Sequence, residues 1–135
     1  MSNYFEWNPA KLSLDVPEMD AEHQILIRHM NTLHTLYETN APAAEQGKAL
    51  LALAAYTAKH FADEEAYMAR VGYAGLGVHR GVHKNLLDRV GEFARGFKAS
   101  GKLGDELFVF LRMWLTAHIC GVDMKYSAHA HTPAA

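Results

Sequence analysis

The chain is expected to fold as an all-α, antiparallel up-down-up-down four-helix bundle with an extended N-terminal arm. Three observations carry this. Apolar residues recur at spacings of three and four along four stretches, as with Leu26, Met30, Leu33 and Tyr37 in the first; that is the period of one helix face. Short clusters of proline, glycine and small polar residues separate the stretches. No run of alternating β-branched residues marks a strand.

Taken in order, residues 1–17 carry aromatic residues and the prolines Pro9 and Pro17, so they read as an arm. Trp7, Leu12, Leu14 and Val16 are suited to pack it on the bundle. The first helix is expected from about Glu18 to Glu38. Asn40-Ala41-Pro42 ends it, because proline drives the preceding residue out of helical geometry. The second helix spans Ala43 to Arg70, and Gly72, Gly75 and Gly77 break the chain after it. The third runs from about Gly77 to Lys98, and Ser100-Gly101-Lys102-Leu103-Gly104 is the next turn. The fourth is expected from Asp105 to Cys120. Residues 127–135 are small and polar and read as a flexible tail. Short turns make successive helices antiparallel neighbours. With no repeat or linker, residues 1–135 are expected to form a single domain.

Composition narrows the function. A length of 135 residues suffices for one hydrophobic core. The net charge of -2 comes without any block of like charges, so neither nucleic-acid binding nor a polybasic membrane contact has a footprint. The longest apolar stretch, near Ala49 to Ala58, is too short for membrane insertion. The N-terminus lacks the charged and apolar regions of a signal peptide. The lone Cys120 allows no intrachain disulfide and reads as a small buried residue. A cytoplasmic location is the expectation.

Nine histidines are several times an ordinary share, and they are dispersed. His60 and Glu64 are four apart on the second helix, and His79 and His83 are four apart on the third. Residues four apart stack on one helix face, so each pair can aim at one point. His23 lies near the start of the first helix and His118 near the end of the fourth. In antiparallel order all of these fall at the same end of the bundle. Burying them unpaired would cost several kcal/mol per ionised group, roughly. A metal ion removes that cost, and neutral imidazole is its commonest protein ligand. His29 lies about 120° around the first helix from His23, and His34 lies about 16 Å along the axis. Those two, with His129 and His131 in the tail, are read as non-ligands.

The motifs Asp20-Ala21-Glu22-His23, His60-Phe61-Ala62-Asp63-Glu64-Glu65, His79-Arg80-Gly81-Val82-His83 and Trp114-Leu115-Thr116-Ala117-His118-Ile119, followed by Asp123, resemble the hemerythrins, specifically the single-domain bacterial ones. The resemblance spans Trp7 to Tyr126. It implies a non-haem di-iron site with two iron ions (Fe2+/Fe3+) and a bridging oxo or hydroxo group. His79, His83 and His118 would bind one iron, His23 and His60 the other. Glu64 and Asp123 would bridge them; Glu64 is preferred over Glu65 because only it is one turn from His60. If each iron takes about six ligands, one position stays open on the two-histidine iron. The resemblance implies that dioxygen binds there, in a pocket lined by Leu26, Phe61, Trp114, Leu115 and Ile119. Those five residues are equally readable as plain core.

Asp20 and Tyr126 are candidates to orient ligands by hydrogen bonds, with Asp20 alternatively a helix cap. Asp123 needs an explanation. In a regular helix it would sit about 140° from His118, so the chain must leave α-geometry, which Gly121 would permit. The leading expectation is a non-enzymatic dioxygen carrier, store or delivery protein. The alternatives are a sensor of oxygen, redox or iron state, and a di-iron enzyme acting on peroxide or nitric oxide. An oxygen-consuming or redox protein is the expected kind of partner. A ferritin-like oxidase is disfavoured, since no Glu is followed three residues later by His.

Overall fold

Pro17 opens the first helix of the computed structural model, α1 (Pro17–Glu38). Its fixed φ suits a first turn, and its missing N–H would have had no partner there. The structure describes residues 5–7, 12–14, 16–119 and 123–130. Glu18 and Asp20 place negative charge at the positive end of the helix dipole. The buried stripe Met19, His23, Leu26, Ile27, Met30 and Leu33 follows the helical period. Pro42 precedes α2 (Ala43–Arg70), which buries Leu50, Leu53, Thr57, His60, Phe61, Glu64 and Met68. α3 spans Leu76–Ser100, α4 Asp105–His118 and α5 Met124–Ala130.

The ends of these helices have identifiable causes. Gly101 adopts φ 72° and donates its N–H to the Phe97 carbonyl at 2.6 Å, closing α3 with a left-handed cap. Gly72, at φ 69°, turns the chain between α2 and α3. Of the three glycines expected to break the chain there, Gly77 instead lies within α3. The fourth helix ends at His118, two residues before the expected Cys120. Beyond it, Ile119 and Asp123 are in wider π-helical geometry. The tail expected from residue 127 is helical as far as Ala130, the end of α5. Tyr126 accounts for this: it is fully buried and anchors α5 against the bundle. Pro9, Cys120, Gly121 and His131 lie outside the described residues.

The four long helices close into a ring of neighbours. α1 packs on α2, and α2 on α3. Phe93 meets Phe110 at 5.5 Å between ring centroids, joining α3 to α4. Tyr37 meets Phe108 at 4.9 Å and donates to Asp105 at 2.6 Å, joining α4 to α1. Leu33, Leu50, Leu53, Leu107, Phe108 and Leu111 fill one end of the bundle. His23, His60, His79, His83 and His118 occupy the other. The arm lies along α1: Asn31 both accepts from the Phe5 N–H at 2.9 Å and donates to the Phe5 carbonyl at 2.8 Å.

His29 and His34 take ordinary roles. His29 packs near the Tyr56 ring at 5.2 Å. His34 pairs with Glu38 at 3.2 Å and meets Phe108 edge-on. Among the described residues, no helix is long and apolar enough to cross a membrane.

Candidate metal centre

All seven residues singled out for metal binding converge at one end of the bundle. α1 supplies His23, α2 His60 and Glu64, α3 His79 and His83, and α4 His118. Asp123, itself in π-helical geometry, comes from just before α5. Each is at most 5 % exposed. The donor atoms form two groups. One contains Glu64, His79, His83, His118 and Asp123, the other His23, His60 and Glu64.

Each carboxylate faces both groups. Glu64 Oε1 lies 2.9 Å from His83 Nε2 and 3.3 Å from His79 Nε2. Its Oε2 lies 3.5 Å from His60 Nε2 and 3.7 Å from His23 Nε2. Asp123 Oδ1 is 3.0 Å from Nε2 of both His79 and His118, while Oδ2 is 3.3 Å from His23 Nε2.

The donor chemistry suits metal ions. With metal–ligand bonds of about 2.1 Å, adjacent ligand atoms at right angles lie about 3.0 Å apart. The observed spacings in the five-residue group cluster there. Both Asp123 oxygens, His60 Nε2, His23 Nδ1 and His79 Nδ1 are buried without a hydrogen-bond partner. Asp123 therefore sits among imidazoles without being aligned to bond any of them. Nitrogen and oxygen donors of this kind fit a first-row metal.

The same crowding governs protonation in the metal-free state. Burial pushes Glu64 up, but His118, His79 and His83 outweigh it and hold the carboxyl well below its usual range. Burial and the Glu64 charge push Asp123 up, yet His118, His23 and His79 hold it down at about 2. Burial pulls His118 down, whereas Asp123 and Glu64 raise it to about 9. A raised folded-state pKa stabilises below the unfolded value and stops doing so as pH rises through the folded one. Metal-free protein should therefore lose stability between about pH 6.5 and 9. Thermal unfolding across that range checks this; a flat or rising melting temperature contradicts it.

Two carboxylates that the sequence reading left without a role hold candidate ligands from behind. His60 Nδ1 donates to Glu22 Oε1 at 2.7 Å. His83 Nδ1 donates to Glu65 Oε2 at 3.0 Å, and Glu65 also pairs with Arg80. Each bond keeps the proton on Nδ1 and leaves Nε2 facing the cluster. Both partners sit next to a singled-out residue in sequence, Glu22 beside His23 and Glu65 beside Glu64, and that adjacency was the available signal. Tyr126 donates to Glu64 Oε2 at 2.8 Å, as a ligand-orienting residue should. Asp20 does otherwise: it accepts from Ser13 Oγ at 2.6 Å and from the Leu14 N–H at 2.8 Å, pinning the arm to α1. It is neither a ligand-orienting group nor the cap, since the cap position is Val16.

Next to His23 and His60 is a narrow void lined also by Leu26, Phe61, Trp114, Leu115, His118 and Ile119. All five residues expected to form an apolar pocket are therefore on its wall. Phe61 stacks on His83 at 3.8 Å, nearly parallel, so the same side chain walls the void and braces a cluster imidazole.

Fold and site together define a metal-binding helical bundle. The chain belongs to the hemerythrin family: the model for the hemerythrin HHE cation binding domain matches residues 14–130. It is 34% identical over 116 residues to a bacteriohemerythrin of Stenotrophomonas maltophilia, covering 86% of this chain and 75% of that one. It is 33% identical over 111 residues to a myohemerythrin of Riftia pachyptila, covering 82% of each. A wild-type hemerythrin crystal structure superposes with a TM-score of 0.87 at 29% identity, covering 95% of this chain and 98% of that one.

Proposed function

We propose that this chain binds dioxygen reversibly at a pair of iron ions, as a carrier, store or delivery protein. His79, His83 and His118 would hold one iron, His23 and His60 the other, with Glu64, Asp123 and an oxo or hydroxo group between them. When bound, the two ferrous ions supply the electrons that dioxygen accepts. The observation that carries the reading is the position of the apolar void. It lies against His23 and His60, the group with fewer protein donors, where an iron would keep a position free, and His118 of the other group shares its wall.

The residues then have distinct tasks. Glu64 and Asp123 offer one oxygen to each side and would so hold both ions. Glu22 and Glu65 orient His60 and His83 from behind. Leu26, Phe61, Leu115 and Ile119 would exclude water and so keep protons out of the void. Among the described residues the void has no carboxyl, hydroxyl or amine on its wall. A peroxide-consuming or nitric-oxide-reducing enzyme would need such a proton donor near the open position, so carriage is favoured.

Reduction without air, exposure to oxygen and removal of oxygen, followed by optical spectroscopy, test the reading. A band that appears and disappears over several cycles is expected; one-way conversion to a ferric form refutes it. Glu22→Gln should weaken metal binding about 10- to 100-fold, the usual effect of losing such a partner. Chelator competition measures this, and the loss should fall on the ion held by His60.

A further inference from the structure

We infer that the Trp114 indole N–H contacts the occupant of the apolar void. It donates a hydrogen bond to an acceptor atom of that occupant and so favours occupants with an available lone pair over inert ones of equal size. This rests on reading the void as the oxygen-binding pocket.

Buried polar atoms without a partner identify the residue. Among the described residues they are His23 Nδ1, His60 Nε2, His79 Nδ1, both Asp123 carboxylate oxygens and Trp114 Nε1. The first five belong to side chains of the metal cluster. Trp114 cannot join them, because an indole N–H donates and offers no lone pair to a metal. An unpaired buried donor is costly, so native proteins rarely keep one without a use. Trp114 lines the void beside His23, His60 and His118. Its other wall residues outside the histidines, Leu26, Phe61, Leu115 and Ile119, carry no polar side-chain atom. Trp114 is therefore the only other wall residue that carries a side-chain donor.

The neighbours do not satisfy it. Phe61 meets Trp114 in a T-shaped contact, centroids 5.8 Å apart at 78°, and has only a π face to offer. That is a weaker acceptor than a lone pair, and far weaker than an anionic one. His118 lies tilted at 32° with centroids 5.6 Å apart, so Trp114 has aromatic neighbours on both α2 and α4. An occupant that gains negative charge on binding is then held by a donor in a dry setting, where such a bond is strong.

The probe is azide, a small linear anion with terminal lone pairs, titrated into the iron-loaded ferric protein and into Trp114→Phe. Phenylalanine keeps an aromatic ring and removes the donor. Azide binding should weaken about tenfold or more in the variant, the scale of one charge-assisted hydrogen bond. Iron content and helicity are measured alongside. A second arm uses the unsubstituted protein loaded with diamagnetic zinc. There the Trp114 indole proton should move downfield and exchange more slowly when azide is added, while that of Trp7, the other tryptophan, should not. Equal azide affinity in the two proteins overturns the inference, as does an unmoved Trp114 signal in zinc-loaded protein that binds azide. If the variant fails to fold or to load, the zinc arm alone decides. If the unsubstituted protein loads metal but binds no azide in either form, the pocket reading falls as well.

Discussion

Glu64→Ala should empty both metal positions, taking iron per chain from two to well below one after passage through a chelator. The reason is geometric. Glu64 presents Oε1 to His83 and His79 and Oε2 to His60 and His23, so one deletion removes a donor from each ion and the link between them. It also strands the Tyr126 hydroxyl, whose acceptor is Glu64 Oε2, in a fully buried position. An unmet buried donor costs about 1–3 kcal/mol on top of the lost metal. The contrast is Glu65→Ala. Within the cluster Glu65 touches only the outer nitrogen of His83, so its loss should weaken loading about 10- to 100-fold while the candidate ligands of both ions remain. Metal analysis of the two variants side by side decides. Equal retention of iron in Glu64→Ala and the unsubstituted protein would remove Glu64 from the ligand set.

Leu26→Asn should shorten the life of the oxygenated form about tenfold or more, the scale of a single new hydrogen bond. Leu26 is 1 % exposed and lies on the wall of the void one turn beyond His23. Asparagine has nearly the same shape but brings an amide that hydrogen-bonds and retains water, the source of protons. The folded state should also lose about 1–3 kcal/mol from burying that amide imperfectly. The rate of one-way conversion to the ferric form after oxygenation is the measurement. An unchanged rate would mean that dryness at this wall does not govern reversibility.

The convergence of the candidate ligands carried by regular helices was legible because the helical period is fixed. His60 with Glu64, and His79 with His83, needed only a spacing of four. Antiparallel order then put His23 and His118 at the same end. Asp123 was harder, because its approach depends on hydrogen bonding wider than α-helical around the fourth helix's end. Only the requirement that the helix be interrupted was readable. Glu22 and Glu65 carried visible signals, yet their partners His60 and His83 are 38 and 18 residues away, on neighbouring helices. Such pairings depend on rotation between packed helices, which periodicity within one helix does not specify. Asp20 was misjudged for the complementary reason. A carboxylate three residues before His23 looks like part of the site, but its partners lie in the arm, where no pattern announces a fold.

The division of the bundle between an apolar end and a metal end has a consequence for the protein's life outside its loaded state. Leu33, Leu50, Leu53, Leu107, Phe108 and Leu111 need no ion to stay together. Removing the metals strips cohesion from one end only, where seven polar groups then face each other at close range. Chain opening should start there and need not spread, so ions can be exchanged through local fraying while the far end keeps the helices in register. The molecule can thus wait for iron with its topology already decided, and surrender iron without having to fold again.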